Sequence, residues 1–84
     1  MKFNKNDYIS QISNNEYIIC DCYINLNNLK ISSIKCVSNS KDARTYVLIS
    51  GTNNGTIQDI FIDTPIAFNK EIFKAVIEEL KCKI

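Results

Sequence analysis

The chain has no histidine, and that absence excludes more chemistry than any residue present supplies. Without an imidazole there is no Ser-His-Asp or Cys-His arrangement and no nitrogen ligand of that kind for a metal. Charge of one sign is also missing. The formal net charge is +1, too little to steer the chain onto nucleic acid or an anionic membrane. Neither half departs from balance. Lys2, Lys5, Lys30, Lys35 and Lys41 offset Asp7, Glu16, Asp21 and Asp42, and the remaining residues cancel. No apolar run approaches the ~18 residues of a membrane-crossing helix. The opening MKFNKNDYIS has no apolar h-region, so no signal peptide is expected. The compartment expected is the cytoplasm, where thiols stay reduced. Repeats, linkers and low-complexity tracts are absent too. The heavy use of Ile, Asn and Lys fits AT-rich codons, hence a low-GC bacterial host or its phage.

What is present is one ordinary domain. The 84 residues are 45% hydrophobic and 23% charged, enough for a single modest core over residues 1–84. Asn14-Asn15, Asn27-Asn28 and Asn53-Asn54 fall between apolar segments and read as turns, because Asn tolerates left-handed backbone angles. Asn4 or Asn6 can cap a short helix through about Ser13, with Tyr8, Ile9 and Ile12 on one face. Strands follow at residues 16–24, 29–38, 44–50 and 56–62. In the second strand Leu29 and Ile31 share one parity and Ile34 and Cys36 the other, so Ser32-Ser33 marks a bulge. Asn54-Gly55 is the hairpin turn of the last two strands. A helix starts at Asn69 with the stripe Ile72, Phe73, Val76, Ile77, Leu80 and Ile84. Phe68 and Phe73 are placed to staple its start, and Glu79 and Lys83 to pair at its end. The expected fold is α+β: a two-layer sandwich of an antiparallel three- to four-stranded meander, with a short N-terminal and a longer C-terminal helix, in the order α-β-β-β-β-α.

Three of the four cysteines lie in CDCYINLNNLKISSIKC, residues 20–36. Structural zinc favours C-x2-4-C knuckles, and C-x-C in a strand spreads its sulfurs along the strand instead of closing them on one ion. Cys20 and Cys22 cannot bridge each other in an extended strand. The expectation is therefore no metal, no disulfide and no cofactor. Cys20 and Cys22 face inward with Ile18 and Ile24, while Cys36 and Cys82 serve as small apolar core residues.

No convergent catalytic set is visible, and no small-molecule substrate or enzyme activity is expected. Asp59 and Asp63 share a face at the end of a strand, and Glu78-Glu79 sits on a solvated helix surface; both read as exposed charge. No base stands ready to activate Cys22 or Cys36. The loop at residues 52–55 lacks a P-loop pattern.

Surface recognition remains. Opposite the thiols, the strand at 16–24 places Tyr17, Ile19, Asp21 and Tyr23 on one face. Arg44 and Tyr46 are expected to join them. Tyr and Arg are enriched at protein interfaces, so these six residues are the expected protein-binding site, with homodimer closure as the plainer use of the same face. Direct nucleic-acid binding is not expected; a small nucleic-acid-binding or regulatory module is the alternative, with Lys70 and Lys74 as the basic pair it offers.

The stretch NDYISQISNNEYIICD (residues 6–21), with the hairpin strands after it and the closing KEIFKAVIEEL, resembles the small phage-encoded anti-CRISPR proteins of the Cas9-inhibitor type. That resemblance implies a non-enzymatic inhibitor that docks on a CRISPR effector and blocks its nucleic-acid binding or activation. It departs from the family in charge: the acidic inhibitor imitates DNA through carboxylates, whereas this chain is near neutral.

Overall fold

Asparagine marks most of the places where this backbone reverses. In the computed structural model, which describes residues 2–42 and 44–84, six strands form two antiparallel sheets. The small sheet is β1 (Ile9–Gln11), β2 (Glu16–Ile19) and β3 (Cys22–Asn25), paired in that order. The long sheet is β4 (Leu29–Asn39), β5 (Arg44–Asn53) and β6 (Thr56–Thr64). One helix, α1 (Asn69–Leu80), follows a 3-10 turn at Ile66–Phe68 and runs into another at Lys81–Lys83. No helix among the described residues is long and apolar enough to cross a membrane.

The α+β class and the antiparallel meanders are as expected, but the architecture differs in two respects. There are two three-stranded sheets in place of one meander, and the N-terminal helix is only a 3-10 turn, Lys5–Asp7. Asn4 does cap that turn, its side chain accepting the Asn6 N–H at 3.1 Å. The turn ends because the next residues are worth more as a strand. Ile9 is β-branched, pairs with Ile19, and is buried; such residues lose χ1 freedom in a helix and pack well on a pleated surface.

The asparagine turns hold. Asn28 has φ 64° in the turn closed by the Leu29 N–H to the Leu26 carbonyl, 3.1 Å. Asn25 accepts the Asn27 N–H through its side chain at 2.9 Å. Asn54 and Gly55, at φ 51° and 85°, form the two-residue hairpin between β5 and β6, whose twist matches the flanking strands. Of the loop at 39–43, the Asn39 side chain accepts the Lys41 N–H at 3.0 Å; Ala43 lies outside the described residues.

The bulge in β4 is also where expected. Ile31 pairs with Gly51 but Ser33 with Ser50, so Ser32 is the extra residue. Its hydroxyl donates to the Ser50 carbonyl at 3.1 Å, holding the bulge against β5. The extra residue resets the parity, so that Ile31 and Ile34 both face inward beside Gly51 and Ile49. Val47, Ile49 and Ile62 complete the buried inner face of the long sheet. Ile72, Val76 and Leu80 of α1 meet them, and Ile9, Tyr17, Ile19 and Ile24 of the small sheet join the same cluster. At the helix start Phe68 is in ring contact with Phe3 and Tyr8, at centroid distances of 5.6 and 5.9 Å. These rings tie the N-terminal turn to α1. At the other end Glu79 accepts from Lys5 at 2.8 Å in place of the expected Lys83. Lys83 instead donates to the Asn14 carbonyl at 2.6 Å and the Asn15 side chain at 3.2 Å.

Gly51 is where β4 and β5 approach most demandingly. A Cβ there overlaps the Lys30 carbonyl oxygen and stands 3.1 Å from the Ile31 Cα. Backbone cannot swing aside as a flexible side chain can, so Gly51→Ala is expected to cost about 2 kcal/mol or more. For a domain of this size that lowers the melting midpoint by about 10 °C, readable by thermal circular dichroism against the unaltered chain.

Candidate functional site

The expected strand at 16–24 is interrupted, and the interruption rearranges the expected site. Cys20 and Asp21 have φ of 50° and 65°, and Ile19 pairs directly with Cys22. This is a two-residue hairpin of the type I′ kind, with both central residues left-handed. The Cys20 N–H is held by the Tyr8 carbonyl at 2.8 Å. Because the chain folds back here, positions before and after the turn no longer alternate as one strand.

Tyr17 and Ile19 therefore face the core, at 2% and 0% exposure. Burial raises the Tyr17 pKa, with Glu79 and Cys82 near its ring adding to the effect. Tyr23 faces outward, opposite Ile18, which is exposed instead of buried. Asp21 sits at the hairpin tip and is exposed. The single face of Tyr17, Ile19, Asp21 and Tyr23 thus does not form. Arg44 and Tyr46 do share a face, but it is the outer face of the long sheet, away from Tyr23.

The cysteines need the same correction. Cys22 is inward beside Ile19, as expected, but Cys20 lies in the turn and not in a strand. Cys36 has the inward parity of Ile34 yet is exposed, and so is Cys82. All four are free thiols. Burial, together with Asp21, Asp63 and Cys22 nearby, pushes the Cys20 thiol up to about 11.

Two surfaces emerge. On the small sheet, Ser10, Ile18 and Tyr23 stand side by side across the three strands, with Ile12 continuing the parity of Ser10. Ile12, Ile18 and Tyr23 are exposed. The Tyr23 hydroxyl donates to the Glu16 carboxylate, which also accepts from the Ser13 hydroxyl at 2.7 Å. These two bonds hold the Glu16 pKa below its ordinary value, Tyr23 first. A ring fixed in this way loses little entropy on meeting a partner. The charge here is of one sign: between Asn6 and Leu29 the chain carries Asp7, Glu16 and Asp21 and no Lys or Arg. Among the described residues, Lys83 reaches this sheet's loops, where it is engaged with Asn14 and Asn15. An open groove of about 320 Å³, lined by Asp7, Tyr8, Cys20, Asp21, Asp63, Thr64 and Pro65, joins the hairpin tip to the end of β6.

On the long sheet, Val37, Tyr46, Leu48 and Phe61 form the middle of the outer face. The Tyr46 and Phe61 rings meet edge to face at 6.2 Å. Arg44 donates to Asp63 at 3.0 Å, and the Tyr46 hydroxyl to Asp42 at 3.3 Å. Sequence reasoning named Arg44, Tyr46, Asp21 and Tyr23 but missed Ile18 and Phe61. Pairing Phe61 with Leu48 across the Asn54-Gly55 hairpin locates it, since that turn sets the register. No protein-family model, curated protein or solved structure matches the chain.

Two measurements check the geometry. With a thiol reagent at pH 8, Cys36 and Cys82 are expected to be modified first. Cys20 should be slowest, its thiolate on the order of 0.1% of the population. Peptide mapping at successive times reads the order; early labelling of Cys20 contradicts the turn geometry. In a carboxylate titration by NMR, Tyr23→Phe removes the main bond to ionised Glu16. The Glu16 midpoint should then rise towards its ordinary value.

Proposed function

We propose that this chain is a non-catalytic, protein-binding inhibitor that docks by the outer face of its small sheet on a basic surface of its partner. The partner in this reading is a CRISPR effector, whose nucleic-acid binding or activation the docked chain blocks. The observation that carries the reading is an apolar and aromatic patch, Ile12, Ile18 and Tyr23, set in a segment whose only charges are carboxylates. RNA-guided effectors hold their heteroduplex in a positively charged channel, and an acidic patch with a fixed aromatic anchor is complementary to such a surface. The near-neutral total had told against charge mimicry. The local balance does not: Asp7, Glu16 and Asp21 give residues 6–29 a charge of −3, while basic residues are placed elsewhere. The segment that carries the anti-CRISPR resemblance, residues 6–21, supplies β1, β2 and the hairpin tip of this same sheet.

The test is retention of effector on the immobilised chain from lysates of cells carrying CRISPR systems, identified by mass spectrometry, alongside an interference assay. The chain is expected to retain an effector and to suppress interference, and Ile18→Ser with Tyr23→Ala to abolish both. Both side chains point outward, so that variant should stay folded within about 1 kcal/mol. Asp21→Asn, which removes the charge and keeps a residue that tolerates the left-handed turn, is expected to weaken binding about threefold, and binding should fall as salt rises. No effector retained and no loss of interference across several subtypes overturns the proposal.

A further inference from the structure

The outward residues of the long sheet form rows across its three strands. Lys30, Thr52 and Ile57 make one row, and Ser33, Ser50 and Asp59 the next. Lys35, Leu48 and Phe61 follow, then Val37, Tyr46 and Asp63. The last two rows carry an apolar middle, Val37, Tyr46, Leu48 and Phe61, of which Phe61 is 55% exposed, and Ile57 at the hairpin end is 78% exposed. Of the outward charges, Lys30 and Lys35 lie on the β4 edge and Asp59 and Asp63 on the β6 edge, while Arg44 at the start of the central strand is held by Asp63. Among the described residues, Lys30, Lys35 and Asp59 appear in none of the ion pairs, which join Lys5 to Glu79, Arg44 to Asp63 and Lys81 to Glu78.

We propose that a second copy of this chain covers this face, about a two-fold axis parallel to the strands and lying above β5. Such a rotation exchanges the two edges and keeps each row level. β4 of one copy then lies over β6 of the other. Lys35 falls over the Phe61 ring of the second copy and between its Asp59 and Asp63, and symmetry makes the same contact twice. Leu48 of each copy meets the other near the axis. A two-fold axis across the strands instead lays β4 on β4, with unpaired lysine against unpaired lysine, whereas the cation that the first arrangement brings near its axis, Arg44, is already paired with Asp63 of its own chain, so the charge pattern favours the first. Sheets packed this way sit about 10 Å apart with strands within about 30° of alignment.

The area is modest. Nine residues along each strand and three strands across give a face of about 30 by 14 Å. Two such faces bury on the order of 1,000 Å², the low end for specific association. The dimer should therefore dissociate at about 10 μM and not persist at nanomolar concentration. It uses none of Ile12, Ile18 or Tyr23, so it succeeds or fails independently of the effector proposal.

Sedimentation velocity of the full chain in reductant, from about 1 to 200 μM, spans the expected transition. Dimer mass is expected at the upper end. Lys35→Glu or Asp59→Lys alone should weaken association about tenfold or more, and the two together should recover most of the loss. Circular dichroism confirms that each variant is folded; these are exposed side chains, and the rescue is something that misfolding does not produce. A monomer throughout the range overturns the proposal. So does a dimer indifferent to the single reversals, or a double variant as weak as the singles.

Discussion

Two consecutive left-handed residues, Cys20 and Asp21, decide which side chains this protein hides and which it shows. An L-residue at positive φ is held there at a cost of about 1–2 kcal/mol unless its side chain or its surroundings offset it. Here the surroundings do so. The Cys20 N–H is bonded to Tyr8, and the residues on either side of the turn, Ile19 and Cys22, pair across the hairpin. Reversal at this point brings Tyr17 and Ile24 to the same pair and the same core face. It also sends Ile18 and Tyr23 outward together. A continuous strand through this stretch would have put Tyr17 and Tyr23 on one side, the opposite of what the turn produces.

That turn was the least legible feature of the sequence, and for a physical reason. Asn54-Gly55 and Asn27-Asn28 announce themselves, because Asn and Gly lower the cost of the left-handed region locally. Cys-Asp offers only half of that signal, since Asp tolerates this region and Cys does not; the geometry at Cys20 is imposed by the pairing of its neighbours and by the Tyr8 carbonyl. The N-terminal segment is a similar case. Tyr8, Ile9 and Ile12 satisfy a helical spacing, but three residues cannot separate a period of 3.6 from a period of 2. The partner strand settled the question. By contrast, the slip in parity between Ile31 and Ile34 showed the bulge directly, since one extra residue is the only way both isoleucines reach the same core. Parity was legible for Cys36 and burial was not: β4 runs past the part of its inner face that the core covers, and no local signal says where cover ends.

Charge teaches the same distinction between local and global. A net charge of +1 describes the chain as a whole, but electrostatic recognition at physiological salt is read over about 8 Å, not over a whole domain. Within that reach the small sheet presents carboxylates, while the long sheet presents lysines along one edge and aspartates along the other. The first pattern suits an unlike partner and the second suits a copy of itself. A near-zero sum is what results when both patterns are built into one small chain.

The two sheets also differ in how their aromatic groups are held, and this bears on which kind of contact each makes. Tyr23 is fixed by a charge-assisted bond to Glu16, itself fixed by Ser13, so its orientation exists before anything binds. Tyr46 and Phe61 hold each other edge to face, and Tyr46 reaches only an exposed carboxylate, Asp42, at 3.3 Å. A ring fixed through ionised Glu16 depends on pH. The Glu16 pKa is lowered by the bond, so the bond is fully present above the ordinary carboxylate range and is lost as pH falls through the lowered value. Near neutrality it is intact. The anchor on the small sheet is thus preorganised near neutral pH by an ionised partner, whereas the rings of the long sheet are held chiefly by each other.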